Sequence, residues 1–190
     1  MSTVAVTAPN DVSSPRRTAR IAGAVYLLVF LTGGAALVVR GPLGAAAGLV
    51  AGLSYVVVTV LFYGLFKPVS RRLSLLAAAV SLTGVAIGVL APLRLLPFRV
   101  NSLALFGFYC LLLAYLTWRA TFLPRFLAPL LAFAGLGWLI FFSPSLSSLL
   151  YPYVLFPGLI GEGALTLWLL VKGVDAERWN EQASAVRHDL

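Results

Sequence analysis

The stretch FPGLIGEGALTLWLLVKG, residues 156 to 173, is an apolar run with a single carboxylate, Glu162, near its middle. Crossing the hydrocarbon core of a bilayer takes about 20 mostly apolar residues, and the run from about 154 to 171 approaches that length. It therefore predicts a transmembrane helix. An ionisable group near the centre of such a helix is costly unless another group satisfies it. The same stretch thus raises the question of what Glu162 contacts.

Five further apolar runs precede this one. They cover about residues 21–39, 45–66, 73–93, 102–118 and 126–142. The chain of 190 residues is 61% hydrophobic and only 11% charged, whereas a typical soluble domain carries about 25% charged residues. We therefore predict an all-α integral membrane protein, a bundle of six transmembrane helices.

The domain organisation follows from these runs. Residues 1–15 are polar and interrupted by Pro, and they predict a disordered amino-terminal tail. Residues 16–174 form the predicted transmembrane domain, and residues 175–190 form a polar cytoplasmic tail.

The basic residues are distributed unequally between the two sides of the predicted bundle. If the amino terminus is cytoplasmic, that side collects eleven of them: Arg16, Arg17, Arg20, Lys67, Arg71, Arg72, Arg119, Arg125, Lys172, Arg178 and Arg187. The opposite side holds three, Arg40, Arg94 and Arg99. Because cytoplasmic loops carry an excess of Lys and Arg, we predict that both termini are cytoplasmic. The net charge of +8 then indicates contact with anionic lipid headgroups, and we expect no nucleic-acid partner.

The inventory of reactive side chains is small. The chain has one His and one Cys, so no cluster exists to hold zinc, haem or an iron–sulfur centre, and we expect no metal and no cofactor. Glu162 is the sole acid in any predicted span, and Cys110 has no His nearby in the spans to activate it. This inventory names no catalytic residue and argues against an enzyme, although it leaves that question open.

Glu162 lies about eight residues into its span, which is about 12 Å at a helical rise of 1.5 Å per residue. This position is close to the bilayer centre. We interpret the residue as a buried polar group or a proton-handling group that faces the bundle interior. The basic residues predicted at the outer ends of the third and fourth helices are Arg94 and Arg99, and either is a candidate ion-pair partner for Glu162.

Glycines at a spacing of four indicate where helices approach one another. Gly44, Gly48 and Gly52 lie on the second predicted helix, and Gly84 and Gly88 lie on the third. In lipid, close packing at small-residue faces supplies much of the attraction between helices. We expect these faces to pack within the bundle, with a homodimer interface as the alternative.

The other polar and aromatic residues of the spans are assigned structural roles. Most are expected to be hydroxyl groups that bond to carbonyls of their own helices, or tyrosines at the membrane interface. Asn101 is expected to cap the fourth helix. Trp118, Trp138 and Trp168 predict anchoring in aromatic belts at the membrane surface.

Four strings resemble the bacterial multi-spanning membrane proteins grouped as domain of unknown function 4386 (DUF4386). They are RRTARIAGAVYLLVFLTGG at 16–34, LFYGLFKPVSRRLSLLAAAVSL at 61–82, YLTWRATFLPRFLAPLLAFAGLGWL at 115–139 and LFPGLIGEGALTLWLLVKGV at 155–174. The matching positions include Arg20, Tyr26, Pro68, Phe122, Leu123, Pro124, Arg125, Gly161, Glu162, Trp168, Lys172 and Gly173.

The resemblance implies a six-helix bundle of a bacterial inner membrane. It implies no catalytic residue, because the biochemical role of that family is not established. The first outer loop, RGPLGAAAG at 40–48, is shorter than in many relatives, so a role of that loop does not carry over.

Three functions remain open. The first is a helical bundle with a buried polar site at Glu162 and a structural or partner-binding role, the partner being another membrane protein or a second copy. The second is a small-molecule or proton-coupled carrier, which requires a water-accessible path to Glu162. The third is an intramembrane lipid-modifying enzyme, which requires a second reactive side chain beside Glu162.

The distribution of basic residues predicts the location of the carboxyl terminus. Green fluorescent protein fused after residue 190 should fluoresce in the cytoplasm, whereas alkaline phosphatase at the same position should stay inactive because its disulfides do not form there. The matched control is a fusion after Arg40, for which the pattern should reverse. Active phosphatase at the carboxyl terminus would contradict the predicted orientation.

Overall fold

A computed structural model describes residues 14–90 and 101–188, with side chains to residue 185. The described residues form eight α-helices: α1 (Pro15–Val38), α2 (Pro42–Phe66), α3 (Arg71–Leu90), α4 (Ser102–Arg119), α5 (Leu127–Leu139), α6 (Pro144–Leu150), α7 (Phe156–Val171) and α8 (Ala176–His188). Five helical segments are long and apolar enough to cross a membrane, or up to six if a bent pair counts as one span. The prediction of an all-helical membrane protein is confirmed.

Polar caps and prolines set several helix starts. The Oγ of Ser14 accepts a hydrogen bond from the backbone N–H of Arg17 at 3.3 Å. The Oδ1 of Asn101 accepts from the N–H of Leu103 at 3.0 Å, so the predicted cap of α4 is confirmed. Pro42 begins α2, where its missing N–H would have had no helical partner.

The fifth apolar run of the sequence corresponds to the first part of the bent pair of helices. Helix α5 ends in a single 3-10 turn at Ile140–Phe142. The chain then bends by 119° between the segments Leu127–Phe142 and Pro144–Leu150. Pro144 breaks the helix because it lacks an N–H, and the Ser143 side chain caps the new helix that follows.

Six helices close into a ring. Each helix packs against its chain neighbour through α1, α2, α3, α4 and α5, after which α7 follows α5 and returns to α1. Helix α6 instead contacts the 3-10 turns beside it. As a result, α7, which carries Glu162, lies between α5 and α1.

The polar carboxyl-terminal stretch forms helix α8 on one end of this ring. The Nε1 of Trp179 donates to the carbonyl oxygen of Leu65, at the end of α2, at 2.8 Å. The Oε1 of Gln182 accepts from the N–H of Thr121, after α4, at 3.1 Å. Helix α8 therefore connects the ends of α2 and α4.

The glycines predicted to pack are found at contacts within the chain. A Cβ atom placed on Gly48, Gly52, Gly84 or Gly88 would have its nearest neighbour in another helix at 3.3 to 3.7 Å. That neighbour belongs to α1 for Gly48, to α3 for Gly52 and to α4 for the other two. Gly44 instead packs against the backbone of the turn before α2. These positions allow ordinary to tight contact between helices.

Close approaches between the backbones of different helices occur on both sides of α7. A Cβ on Gly161 would lie 2.1 Å from the carbonyl oxygen of Leu130 in α5, and a Cβ on Gly23 in α1 would lie 2.6 Å from the nitrogen of Leu170. Both separations are far below van der Waals contact. Helix α7 can therefore contact α5 and α1 this closely only because both positions are glycine.

The effect of this packing can be measured with two substitutions in one helix. Gly161→Ala should lower the free energy of unfolding by about 1 to 3 kcal/mol, because the new methyl group overlaps the α5 backbone. Gly163→Ala is the matched control, since a Cβ there meets nothing within 4 Å. It should be neutral or stabilise by up to about 1 kcal/mol through helix propensity. Denaturant titration in mixed micelles measures both, and equal effects would contradict the account.

Candidate functional site at Glu162

Glu162 projects into the ring from the middle of α7. Its carboxyl contacts the side chain of Trp138 in α5. Gly158 lies four residues earlier, on the same face of α7. A Cβ on Gly158 would lie 2.1 Å from Cζ2 of Trp138, so the missing side chain leaves room for the indole ring. The Nε1–H of that ring donates a hydrogen bond to Oε1 of Glu162.

The second carboxyl oxygen is bound from α1. The hydroxyl of Tyr26 donates to Oε2 of Glu162, and the Tyr26 residue is 1% exposed. Tyr26 follows three residues after Gly23, where α1 approaches α7 most closely, and this approach brings the hydroxyl within reach. Glu162 is itself 5% exposed, so one enclosed carboxyl links α1, α5 and α7.

The hydrogen-bonded chain continues into α2. The hydroxyl oxygens of Tyr26 and Tyr55 are 3.3 Å apart, and either hydroxyl can be the donor. The Tyr55 ring also makes edge contacts with the rings of Tyr26 and Tyr109 at centroid distances of 5.6 and 6.0 Å. Cys110, next to Tyr109 on α4, is also buried. Helices α1, α2, α4, α5 and α7 therefore all contribute side chains around this point.

Four threonine hydroxyls of the spans follow the sequence prediction. Thr32, Thr59, Thr83 and Thr166 each donate to the carbonyl four residues earlier, at 2.7 or 2.8 Å. Thr59 has a further role, since its Oγ1 is 2.6 Å from the Oγ of Ser81 and so joins α2 to α3. A second interhelical polar contact thus lies on the α3 side of the ring.

The partners of Glu162 differ from the sequence expectation. The belt assignment of Trp138 is wrong, because its indole N–H is used inside the bundle. Tyr26 was not identified as a partner either. In the sequence, Gly158 indicates space for a side chain from another helix, because it lies one helical turn before the carboxylate and has no side chain of its own. The sequence does not show that the ring of Trp138 uses this space.

The proposed cationic partners are not placed. Arg94 and Arg99 lie outside the described residues, so the predicted ion pair remains a prediction. In the described part of the chain, the two oxygens of Glu162 are already bound by uncharged donors, the indole of Trp138 and the hydroxyl of Tyr26.

The side chains around Glu162 support hydrogen bonding and proton exchange. An indole N–H can only donate, so Oε1 of Glu162 must accept. By contrast, Oε2 and the hydroxyls of Tyr26 and Tyr55 can each donate or accept, depending on where the proton lies. Among residues 14–90 and 101–188, no group of three His, Cys, Asp or Glu side chains could hold a metal ion.

A ring of apolar helices around one enclosed carboxyl defines a multi-pass helical membrane protein with a buried polar centre. Residues 100–173 match the family model for "Domain of unknown function (DUF4386)". The matched segment contains Cys110, Trp138 and Glu162, and it confirms the resemblance over that part of the chain. No curated protein and no solved structure matches this chain.

The link between helices predicts a specific pattern of stability losses. Glu162→Leu leaves the N–H of Trp138 without an acceptor, and a buried unsatisfied donor costs about 1 to 3 kcal/mol. We expect the free energy of unfolding to fall by about that amount. Glu162→Gln keeps an oxygen for the indole and should lose less. Denaturant titration in mixed micelles measures each value.

A double-mutant cycle isolates the hydrogen bond itself. Trp138→Phe removes the N–H and keeps an aromatic ring, so Glu162→Leu should cost less in that background than in the natural chain. Additive losses would show that the Trp138–Glu162 contact carries no coupling energy.

Proposed function

We propose that this protein is a six-span bundle of a bacterial inner membrane with a structural or partner-binding role, in which Glu162 is a buried polar link. One observation carries this proposal: both carboxyl oxygens are bound by donors from other helices, while the residue is 5% exposed. The link lies where α7 closes the ring between α5 and α1. It thus joins the first and last long helices of the chain.

A polar link is useful in this location because lipid provides little drive for helix association. Apolar side chains are as well accommodated by acyl chains as by another helix. A hydrogen bond between transmembrane helices contributes about 0.6 to 2 kcal/mol, and it forms at one register only. Glu162 therefore specifies which faces of α1 and α5 meet α7, in addition to stabilising the contact.

The outer surface is consistent with a membrane and with a partner in it. Large apolar side chains point outwards from successive helices, such as Leu31 on α1, Val60 on α2 and Leu75 on α3, each more than half exposed. Such a surface suits acyl chains, and part of it suits the apolar face of another membrane protein. The structural role therefore extends to assembly with a partner subunit.

The carrier is the second candidate, and it is favoured by the chain from Glu162 through Tyr26 to Tyr55. If Oε2 of Glu162 is protonated, it donates to Tyr26, which donates to Tyr55. If it is not, Tyr26 donates to Oε2 and Tyr55 donates to Tyr26. The direction of this hydrogen-bonded chain therefore depends on whether Glu162 holds a proton.

Two cavities among the described residues bear on the choice between the link and the carrier. A cavity of about 10 Å³ lies among α2, α3 and α4, and a cleft of about 490 Å³ lies at one end of the bundle. Glu162 lines neither of these two. A carrier would instead need a path for water to the carboxyl.

Proton movement across vesicles distinguishes the two candidates. The purified protein is reconstituted in vesicles that enclose a pH-sensitive dye, and a pH gradient is imposed with and without a membrane potential. We expect the gradient to decay at the same rate in vesicles with the natural protein, with Glu162→Gln and without protein. A proton ionophore serves as positive control. Faster decay that requires Glu162 would overturn the structural role in favour of the carrier.

A further inference from the structure

The cleft of about 490 Å³ lies where α1 begins and α7 ends. Its walls come from α1, the α4–α5 connection, α7 and the start of α8. The lining residues that matter here are Arg16, Phe122, Trp168, Lys172, Asp175 and Arg178. This end of the bundle is the one that the positive-inside rule assigns to the cytoplasm.

Among the described residues that line the cleft, the one acidic side chain, Asp175, is engaged by its own helix. The Oδ1 of Asp175 accepts the backbone N–H groups of Glu177 and Arg178 at 3.1 and 3.2 Å. Its Oδ2 lies 3.5 Å from Nε of Arg178. Asp175 and Arg178 thus balance one another. Within the described side chains, no acidic group pairs with Arg16 or Lys172.

The backbone around Gly173 determines the positions of Arg16 and Lys172. Gly173 ends α7 with a φ of 72°, a conformation that glycine adopts readily. A Cβ on Gly173 would lie 3.0 Å from Cγ of Arg16, so the α1 side chain packs directly on this turn. One turn along α1, Nη2 of Arg20 donates to the carbonyl oxygen of Val171 at 3.0 Å. The side chains of Arg16 and Lys172 therefore start from neighbouring positions in the cleft wall.

We propose that this cleft binds the phosphate-bearing headgroup of an anionic phospholipid. A phosphate diester complements the charges of Arg16 and Lys172, and a guanidinium can bind two phosphate oxygens at once. The indole of Trp168 suits the level of the headgroups, and Phe122 gives the cleft an apolar wall that the glycerol portion can contact. Basic pockets between transmembrane helices recognise anionic lipids by the same chemistry.

The test compares two variants with the same change of charge at the same end of the bundle. Arg16→Gln with Lys172→Gln removes both cleft cations, and the Gln at position 16 keeps the Cγ that packs on Gly173. Arg71→Gln with Arg72→Gln is the control, since these residues begin α3 and do not line the cleft. Native mass spectrometry of each protein measures retention of phosphatidylglycerol against phosphatidylcholine.

We expect the natural protein and the control to retain phosphatidylglycerol selectively. The cleft variant should lose about fivefold in selectivity for each residue removed, since a basic residue at the surface contributes about 1 kcal/mol. Equal loss in both variants would show general attraction to a basic surface and overturn the proposal. So would the absence of any preference for the anionic lipid.

Two further measurements test the lipid proposal. Lys172→Gln alone, at an exposed side chain, should give about a fivefold loss and replaces the double variant if that one does not fold. Thermal unfolding with inorganic phosphate and with phosphatidylglycerol compares the two sources of phosphate. Equal stabilisation by free phosphate, lost in the cleft variant, would assign the cleft to a soluble anion and overturn the lipid proposal.

Discussion

The hydrogen bonds to the Glu162 carboxyl are the constraint around which the ring is organised. Within hydrocarbon no water is present to satisfy such a group, so each oxygen needs a hydrogen-bond partner supplied by the protein. The donors come from Trp138 and Tyr26, on the two helices that flank α7. Both hydrogen bonds form only over a short distance. The axes of α5 and α1 must therefore lie close to α7 at defined positions along their length.

The small residues around the carboxyl meet this requirement. Gly161 lets α5 touch the α7 backbone, Gly158 accommodates the Trp138 ring, and Gly23 brings α1 against the end of α7. Each lies within one or two turns of Glu162 or of one of its partners. The glycines and the carboxyl are thus parts of one arrangement, in which close packing supplies the attraction and the polar group fixes the register.

The sequence predicts the fold better than it predicts the site. Apolar run lengths locate the long helices, because the bilayer imposes a minimum length on any span. The bend at Ser143 and Pro144 and the short helix α6 are not predicted, because seven residues leave no hydrophobic period to detect. The predicted cap of α4 at Asn101 is also confirmed, because capping depends only on neighbouring residues.

The identity of the partners of Glu162 could not be predicted in the same way. Trp138 and Tyr26 are 24 and 136 residues from it along the chain, and a helix that is apolar on all sides does not reveal which face meets which neighbour. Opposite charge suggested Arg94 and Arg99, which lie outside the described residues, so that pairing remains a prediction. Tyrosine and tryptophan can also donate to a carboxyl, but they are too common in spans to stand out.

The central claim is that Glu162 is an enclosed link, and infrared difference spectroscopy of its carboxyl tests this most directly. Spectra of the natural protein in lipid, minus those of Glu162→Gln, are recorded from mildly acidic to mildly alkaline pH and after transfer to heavy water. The account predicts a Glu162 signal that neither changes with pH nor shifts rapidly in heavy water. A carboxyl band that appears or disappears within this range would show that water and protons reach Glu162, and would contradict the claim.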